Sequence, residues 1–147
     1  GVMTRISGLF SRRGFNIESL TVGHTELPGK SRFTIVVEGN EEILEQVRKQ
    51  LQKLVHVIKV WDLDMEKILE REHALVKVEV HDQDRALLLQ LITALQARIV
   101  NSSGAVWVLE ITGDSASVDS AINLMSQFTI LESIRTGKIA LEQGARR

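Results

Sequence analysis

Residues 8–23 read GLFSRRGFNIESLTVG, and the change of rhythm inside them governs how the rest of the chain is parsed. Just upstream and into this stretch, Val2, Met3, Ile6, Leu9 and Phe10 recur at helical spacing, Arg5, Arg12 and Arg13 fall mostly elsewhere, and Gly14 supplies a stop. From Phe15 to His24 the composition turns to Phe, Ile, Thr, Leu and Val, residues that suit a half-buried pleated strand. A helix therefore runs almost directly into a strand. Polar Asn16 stands between Phe15 and Ile17, and the apolar phase shifts between Ile17 and Leu20. Those residues admit two readings of Asn16: an amide offered to a ligand, or a residue at a bulge that breaks the ladder.

Reading on, LPGK at 27–30 places Pro and Gly where a type II turn requires them, and RFTIVVE at 32–38 puts Phe33, Ile35 and Val37 on one face. The two strands form a hairpin. Asn40 is placed to cap a helix with Glu41 and Glu42 in its first turn, Ile43, Leu44, Val47, Leu51 and Leu54 on one stripe, and Lys49 and Lys53 towards its end. VHVIKVWDL at 55–63 is predicted as a strand, which makes the first half αββαβ. After a charged connector, DMEKILERE at 64–72, the strict alternation of ALVKVEV at 74–80 predicts a half-buried strand. A helix over about 85–98 follows, presenting Leu88, Leu91, Ile92 and Leu95, then the short piece RIVNSSG at 98–104 and a strand at 105–113. A helix striped by Val118, Ala121, Ile122 and Met125 and strands at 129–135 and 138–142 complete a βαββαβ series plus one strand.

The halves share one order of elements, except that the first lacks its opening strand. The expected fold class is α+β, with two ferredoxin-like βαββαβ units: residues 1–63 without a first strand, a linker at 64–73, and a second unit at 74–147. A strand near a sheet centre leaves ladders unpaired when it is absent, so the natural chain is expected to extend upstream of Gly1 or to receive that strand from another chain.

The 147 residues carry 18 basic and 19 acidic side chains, a balance that offers no field to draw a phosphate backbone or an anionic membrane. There is no cysteine, hence no thiolate nucleophile, thiolate metal ligand or disulfide. No apolar run approaches the roughly 20 residues that span a bilayer. His24, His56, His73 and His81 show no metal-binding spacing, and no metal is expected. Asp62, Asp64 and Glu66 lack the glycine and distal Glu of a calcium loop, and Asp82 and Asp84 fit helix capping. SSGA at 102–105 is a turn without the strand and helix of a nucleophile elbow. No phosphate-binding glycine motif is present, and no catalytic residue is assigned. Trp61 and Trp107, one per unit, read as packing or anchoring rings rather than as a base-stacking platform.

RISGLFSRRGFNIESLTVG (5–23), with SRFTIVV (31–37), QLQKLVHVIKV (50–60), REHALVKV (71–78) and IRTGKIAL (134–141) in the same order, resembles the small regulatory subunit of acetolactate synthase, also called acetohydroxyacid synthase. RRGFNIESLTVG is the specific part. The resemblance implies an N-terminal ACT domain of βαββαβ form and a second ACT-like domain. It also implies a non-catalytic subunit that activates a catalytic large subunit and confers feedback inhibition by valine or a related branched-chain amino acid. Thiamine diphosphate, Mg and FAD would then belong to the catalytic subunit, with no cofactor in this chain. A homodimer through the ACT domains is implied, with the effector between protomers, in the cytoplasm or, for a plant protein, the plastid stroma. A stand-alone amino-acid-sensing module is the alternative.

On that resemblance the effector-binding residues are Gly1, Val2, Met3, Thr4, Asn16 and Ile17. The free N–H groups of Val2, Met3 and Thr4 at a helix start suit a carboxylate, and Gly1 lets backbone approach a ligand closely. Asn16 matches the family's binding Asn in NIES and would meet the amino acid's polar end. The family carries a first strand and an Asn-containing loop upstream of Gly1 that this sequence does not include.

Overall fold

The computed structural model describes residues 1–145. They divide into two compact units, one of Gly1–Leu69 with the chain from Leu141 onward, the other of Glu70–Ala140.

In the first unit, helix α1 (Val2–Arg13) ends where Gly14 takes a left-handed conformation at φ 67°. The N–H of Phe15 returns to the carbonyl of Phe10, and their rings meet edge to face at 5.7 Å, a closed C-terminal cap with its apolar contact. That cap sets the direction in which β1 (Asn16–His24) leaves the helix. β1 pairs antiparallel with β2 (Ser31–Glu38), and the register slips between Ile17 and Ser19. Glu18 is the extra residue, which accounts for the changed apolar phase. The hairpin closes as expected: the N–H of Lys30 donates to the carbonyl of Leu27, with Gly29 at φ 76°. Helix α2 (Glu41–Gln52) starts at Asn40, whose side-chain oxygen accepts from the Ile43 N–H at 3.0 Å. Ile6, Leu9 and Phe10 of α1 bury against Val47 and Leu51 of α2, with Ile17, Phe33, Ile35 and Val37 packed on them.

Residues 55–63 form no strand, contrary to the sequence expectation. Among the described residues the sheet here is two-stranded, β1 with β2, so this alternating segment has no ladder to join. Val55 is 81% exposed and Ile58 75%, which is the mark of apolar residues without a face to cover them.

In the second unit the central strand β3 (Ile68–Glu79) begins six residues earlier than the alternation from Ala74 had indicated, so the expected linker is partly strand. ILERE continues the alternation, but apolar Leu69 lies on the outward side with Arg71, and charged Glu70 and Glu72 lie on the inward side with Ile68, which hid the pattern. Helix α3 (Arg85–Ala94) is shorter than expected. Gln96 is left-handed at φ 55°, and the N–H groups of Gln96 and Ala97 return to the carbonyls of Thr93 and Ile92. This is the same closing motif as after α1, made without glycine. β4 (Arg98–Ser103), β5 (Val106–Gly113), α4 (Ser115–Met125), β6 (Thr129–Arg135) and β7 (Ile139–Glu142) follow. The sheet order is β4-β5-β3-β6, with β7 also pairing β3. Val76, Val78, Leu109 and Ile111 on one sheet face bury against Leu88 and Ile92 of α3 and Val118, Ala121 and Met125 of α4. Asp82–Asp84 form a single 3-10 turn, and Asp84 precedes α3 without a side-chain capping bond, so the capping role expected of these carboxylates is not found. The cap appears instead at α4, where Asp114 accepts from the Ser117 N–H at 2.8 Å.

Candidate functional site

The six residues singled out from the sequence fall into two groups in the first unit. Gly1 caps α1 without a side-chain bond, its carbonyl accepts from the Arg5 N–H at 3.2 Å, and a Cβ built there would meet nothing within 4 Å. No acidic side chain occupies the first turn of α1, so nothing in that turn neutralises the partial positive charge of the N–H groups of Val2, Met3 and Thr4. Met3 and Thr4 are exposed, whereas the Val2 side chain packs on the core, leaving only its backbone for a ligand.

Asn16 and Ile17 open β1 beyond the other end of that helix. Asn16 is exposed and its Nδ2 donates to Glu38 Oε2 at 2.8 Å, across the ladder from which Glu38 faces it. The bulge follows Asn16, and its amide engages a carboxylate of this chain rather than backbone. The Ile17 side chain is committed to the core. Twelve residues of helix at about 1.5 Å each separate the two groups by about 18 Å, so a single protomer does not bring them together.

Between them, the exposed side of α1 carries an open depression of about 500 Å³ lined by Met3, Thr4, Ser7, Gly8 and Ser11. Ser7, Gly8 and Ser11 were not singled out from the sequence. Their signal is the recurrence of small residues at helical spacing opposite the apolar stripe, a pattern that lets another backbone come close.

Two of the four histidines considered for chemistry have side-chain partners. His73 Nε2 lies 3.1 Å from Glu110 Oε2, and His81 Nε2 lies 3.3 Å from Thr129 Oγ1. Among the described residues no group of three or more His, Asp or Glu is placed to hold a metal. Trp107 is buried, with the Arg85 guanidinium 5.4 Å from its ring. Trp61 has Arg32 and Lys59 at 5.1 and 5.2 Å, and neither ring is a bare stacking surface. Among the described residues no helix is long and apolar enough to cross a membrane.

Two family models match in chain order, the AHAS small subunit-like ACT domain over residues 1–59 and the small subunit of acetolactate synthase over residues 71–144. The chain belongs to the acetolactate synthase small-subunit family. A probable acetolactate synthase small subunit from Archaeoglobus fulgidus is 48% identical over 98% of this chain and 90% of its own length. The acetolactate synthase small subunit of Mycobacterium leprae is 41% identical over 99% of this chain and 86% of its own length. A chloroplastic small subunit from Nicotiana plumbaginifolia is 46% identical over 97% of this chain, which spans 31% of that relative. The crystal structure of the acetolactate synthase small subunit from Thermotoga maritima superposes with a TM-score of 0.92 at 42% identity, covering 99% of this chain and 91% of that one. The mixed α+β class with two ACT-like units, expected from the pattern of elements, agrees with this small-subunit structure.

Proposed function

We propose that this chain is a non-catalytic regulatory subunit, which raises the activity of an acetolactate synthase catalytic subunit and makes it sensitive to valine or a related branched-chain amino acid. A linker at 64–73 joins a first domain, residues 1–63, to a second, residues 74–147. Thiamine diphosphate, Mg and FAD are carried by the catalytic subunit, and the chain works in the cytoplasm, or in the plastid stroma for a plant protein.

The observation that carries the reading is the separation of the two half-sites by the length of α1. An amino-acid effector has a carboxylate for the free N–H groups at Gly1–Thr4 and a second polar end for Asn16, yet a free amino acid cannot span about 18 Å. Two copies with their α1 helices antiparallel, side by side over the Ser7, Gly8 and Ser11 depression, bring the helix start of one beside Asn16 of the other. The effector site is therefore completed by dimerisation through the ACT units, and there are two equivalent sites per dimer. A branched apolar side chain contributes about 1.5–3 kcal/mol on full burial, so the polar clamp supplies the recognition of an amino acid. Because the site is shared, effector binding is coupled to how the two copies sit together, and about 1–3 kcal/mol of coupling gives a useful response.

The test is acetolactate formation by a purified catalytic subunit from the same source, with and without this protein, across a valine titration. A rise in rate that valine then suppresses supports the reading. No change in rate, with both proteins folded, leaves an amino-acid-sensing module for another partner.

A further inference from the structure

Asn16 lies two residues beyond Gly14, where α1 closes, and stands opposite Glu38 in the hairpin ladder, so the fold alone sets both positions. Across that ladder Asn16 Nδ2 donates to Glu38 Oε2 at 2.8 Å. An amide has a donor end and an acceptor end, and a carboxylate only accepts, so this bond decides which way the amide points. Apart from the second amide hydrogen, the pair leaves over Asn16 Oδ1 and Glu38 Oε1, both acceptors. Both residues are exposed, and among the described residues no lysine or arginine pairs with Glu38. A negative charge without a counter-ion therefore stands next to Asn16.

We infer that Glu38 is a further binding residue of the effector site, and that its carboxylate, together with Asn16 Oδ1, takes the ammonium group of an α-amino acid. The inference rests on the effector reading proposed above and adds a direction to it. At the start of α1 the N–H groups of Val2, Met3 and Thr4 meet no acidic side chain in their own turn and suit a carboxylate. At Asn16 and Glu38 the charge is of the opposite sign. An amino acid carries one group for each end, so it enters in one direction only. The amide by itself does not make that choice, since either of its ends can meet a ligand. Nor does the end of α1, where Arg12 and Arg13 offset the negative end of the helix dipole. The preference for a cation comes from Glu38, which both holds the amide and supplies the charge. An exposed ion pair gives only a modest factor, so Glu38 sets orientation while other contacts carry most of the affinity.

The test uses the full chain with its catalytic subunit and reads the valine concentration that halves acetolactate formation. Glu38→Gln keeps an oxygen for Asn16 Nδ2 and loses the charge, whereas Glu38→Asp keeps the charge and is too short for the same bond. If the carboxylate takes the ammonium, Glu38→Gln raises the half-inhibitory concentration about fivefold and Glu38→Asp by about twofold or less. A role confined to steadying Asn16 gives the reverse order, and that result, or an unchanged value for Glu38→Gln, overturns the inference. The second probe is 3-methylbutanoate, which is valine without its amine. With the native chain it is expected to need at least about tenfold the concentration of valine, and inhibition as strong as valine's overturns the inference. Failure of valine to inhibit the native pair removes the effector reading and this inference together, whereas a reversed order with native inhibition intact removes the inference alone.

Discussion

Asn16 Nδ2 donates to Glu38 Oε2 at 2.8 Å, joining the first residue of β1 to the last of β2. The carboxylate makes this a charge-assisted bond and fixes the direction of the amide at the edge of the hairpin. Asn16→Ala is expected to weaken effector inhibition by about tenfold or more in effector concentration, while activation of the catalytic subunit is unchanged, because one bond to a charged group is worth about 1.5–3 kcal/mol. Glu38→Ala, which frees the amide without removing it, should produce a smaller loss. Both are read from inhibition curves at saturating small subunit. Full inhibition retained by Asn16→Ala would remove this residue from the site.

Gly8 sits in the middle of the α1 depression, and a Cβ there would meet only the Arg12 Nη1 at 3.1 Å, the movable end of a long side chain. Gly8→Leu should therefore fold well, and relative to glycine it favours the helix by about 0.5–1 kcal/mol. If a second α1 packs here, the same change obstructs it. Sedimentation equilibrium is expected to show dimerisation weakened by about tenfold, with the melting temperature of the dilute chain unchanged or raised. Unaltered association would place the first unit's dimer contact elsewhere.

How much of this was legible in sequence follows from where the signals are strong. Helix stripes, the type II turn at Pro28 and Gly29, and the Asn40 cap announce themselves because each rests on local chemistry. The strand expected at 55–63 was misread because alternation records a residue's readiness to pair, while pairing needs a neighbour. The start of β3 at Ile68 was missed because Glu72 occupies an inward position that an apolar pattern leaves no room for. The end of α3 was placed late because Gln96 takes a left-handed conformation usually announced by Gly or Asn. At the candidate site, Asn16 and the helix start were singled out one residue at a time. Their separation by a whole helix, on which the proposed two-chain site rests, emerges only from the fold.

Glu72 is the one charged side chain buried among the described residues, and Arg135 meets it at 2.6 Å while also reaching Asp119 at 2.5 Å. The guanidinium thus ties β3, β6 and α4 together, and both carboxylates hold its pKa above the ordinary arginine value, Glu72 most strongly. Glu72→Ala leaves Arg135 one carboxylate poorer at a partly covered site and should cost about 3 kcal/mol. Replacing the pair by Leu at 72 and Met at 135 should cost much less, since no charge is then stranded. Thermal unfolding separates the two cases. Equal losses for the single and double variants would mean that packing, not charge, holds this corner.

Asp114 caps α4, and hydrogen bonds from Ser117, the side chain first and the backbone N–H second, hold its carboxyl below the usual 3.8. A depressed folded-state value means that the ionised form is favoured by folding. Its stabilisation is complete above the unfolded value and is lost as the pH falls through the lower folded one. Asp114→Asn keeps an oxygen for the Ser117 N–H but removes the charge from the positive end of the helix. The native chain should therefore melt higher than the variant at neutral pH, with the gap closing as the pH drops below about 4. Melting curves on the two chains over that range decide the matter. No gap at neutral pH would show that the carboxylate's charge contributes nothing at this cap, and that the oxygen alone starts the helix.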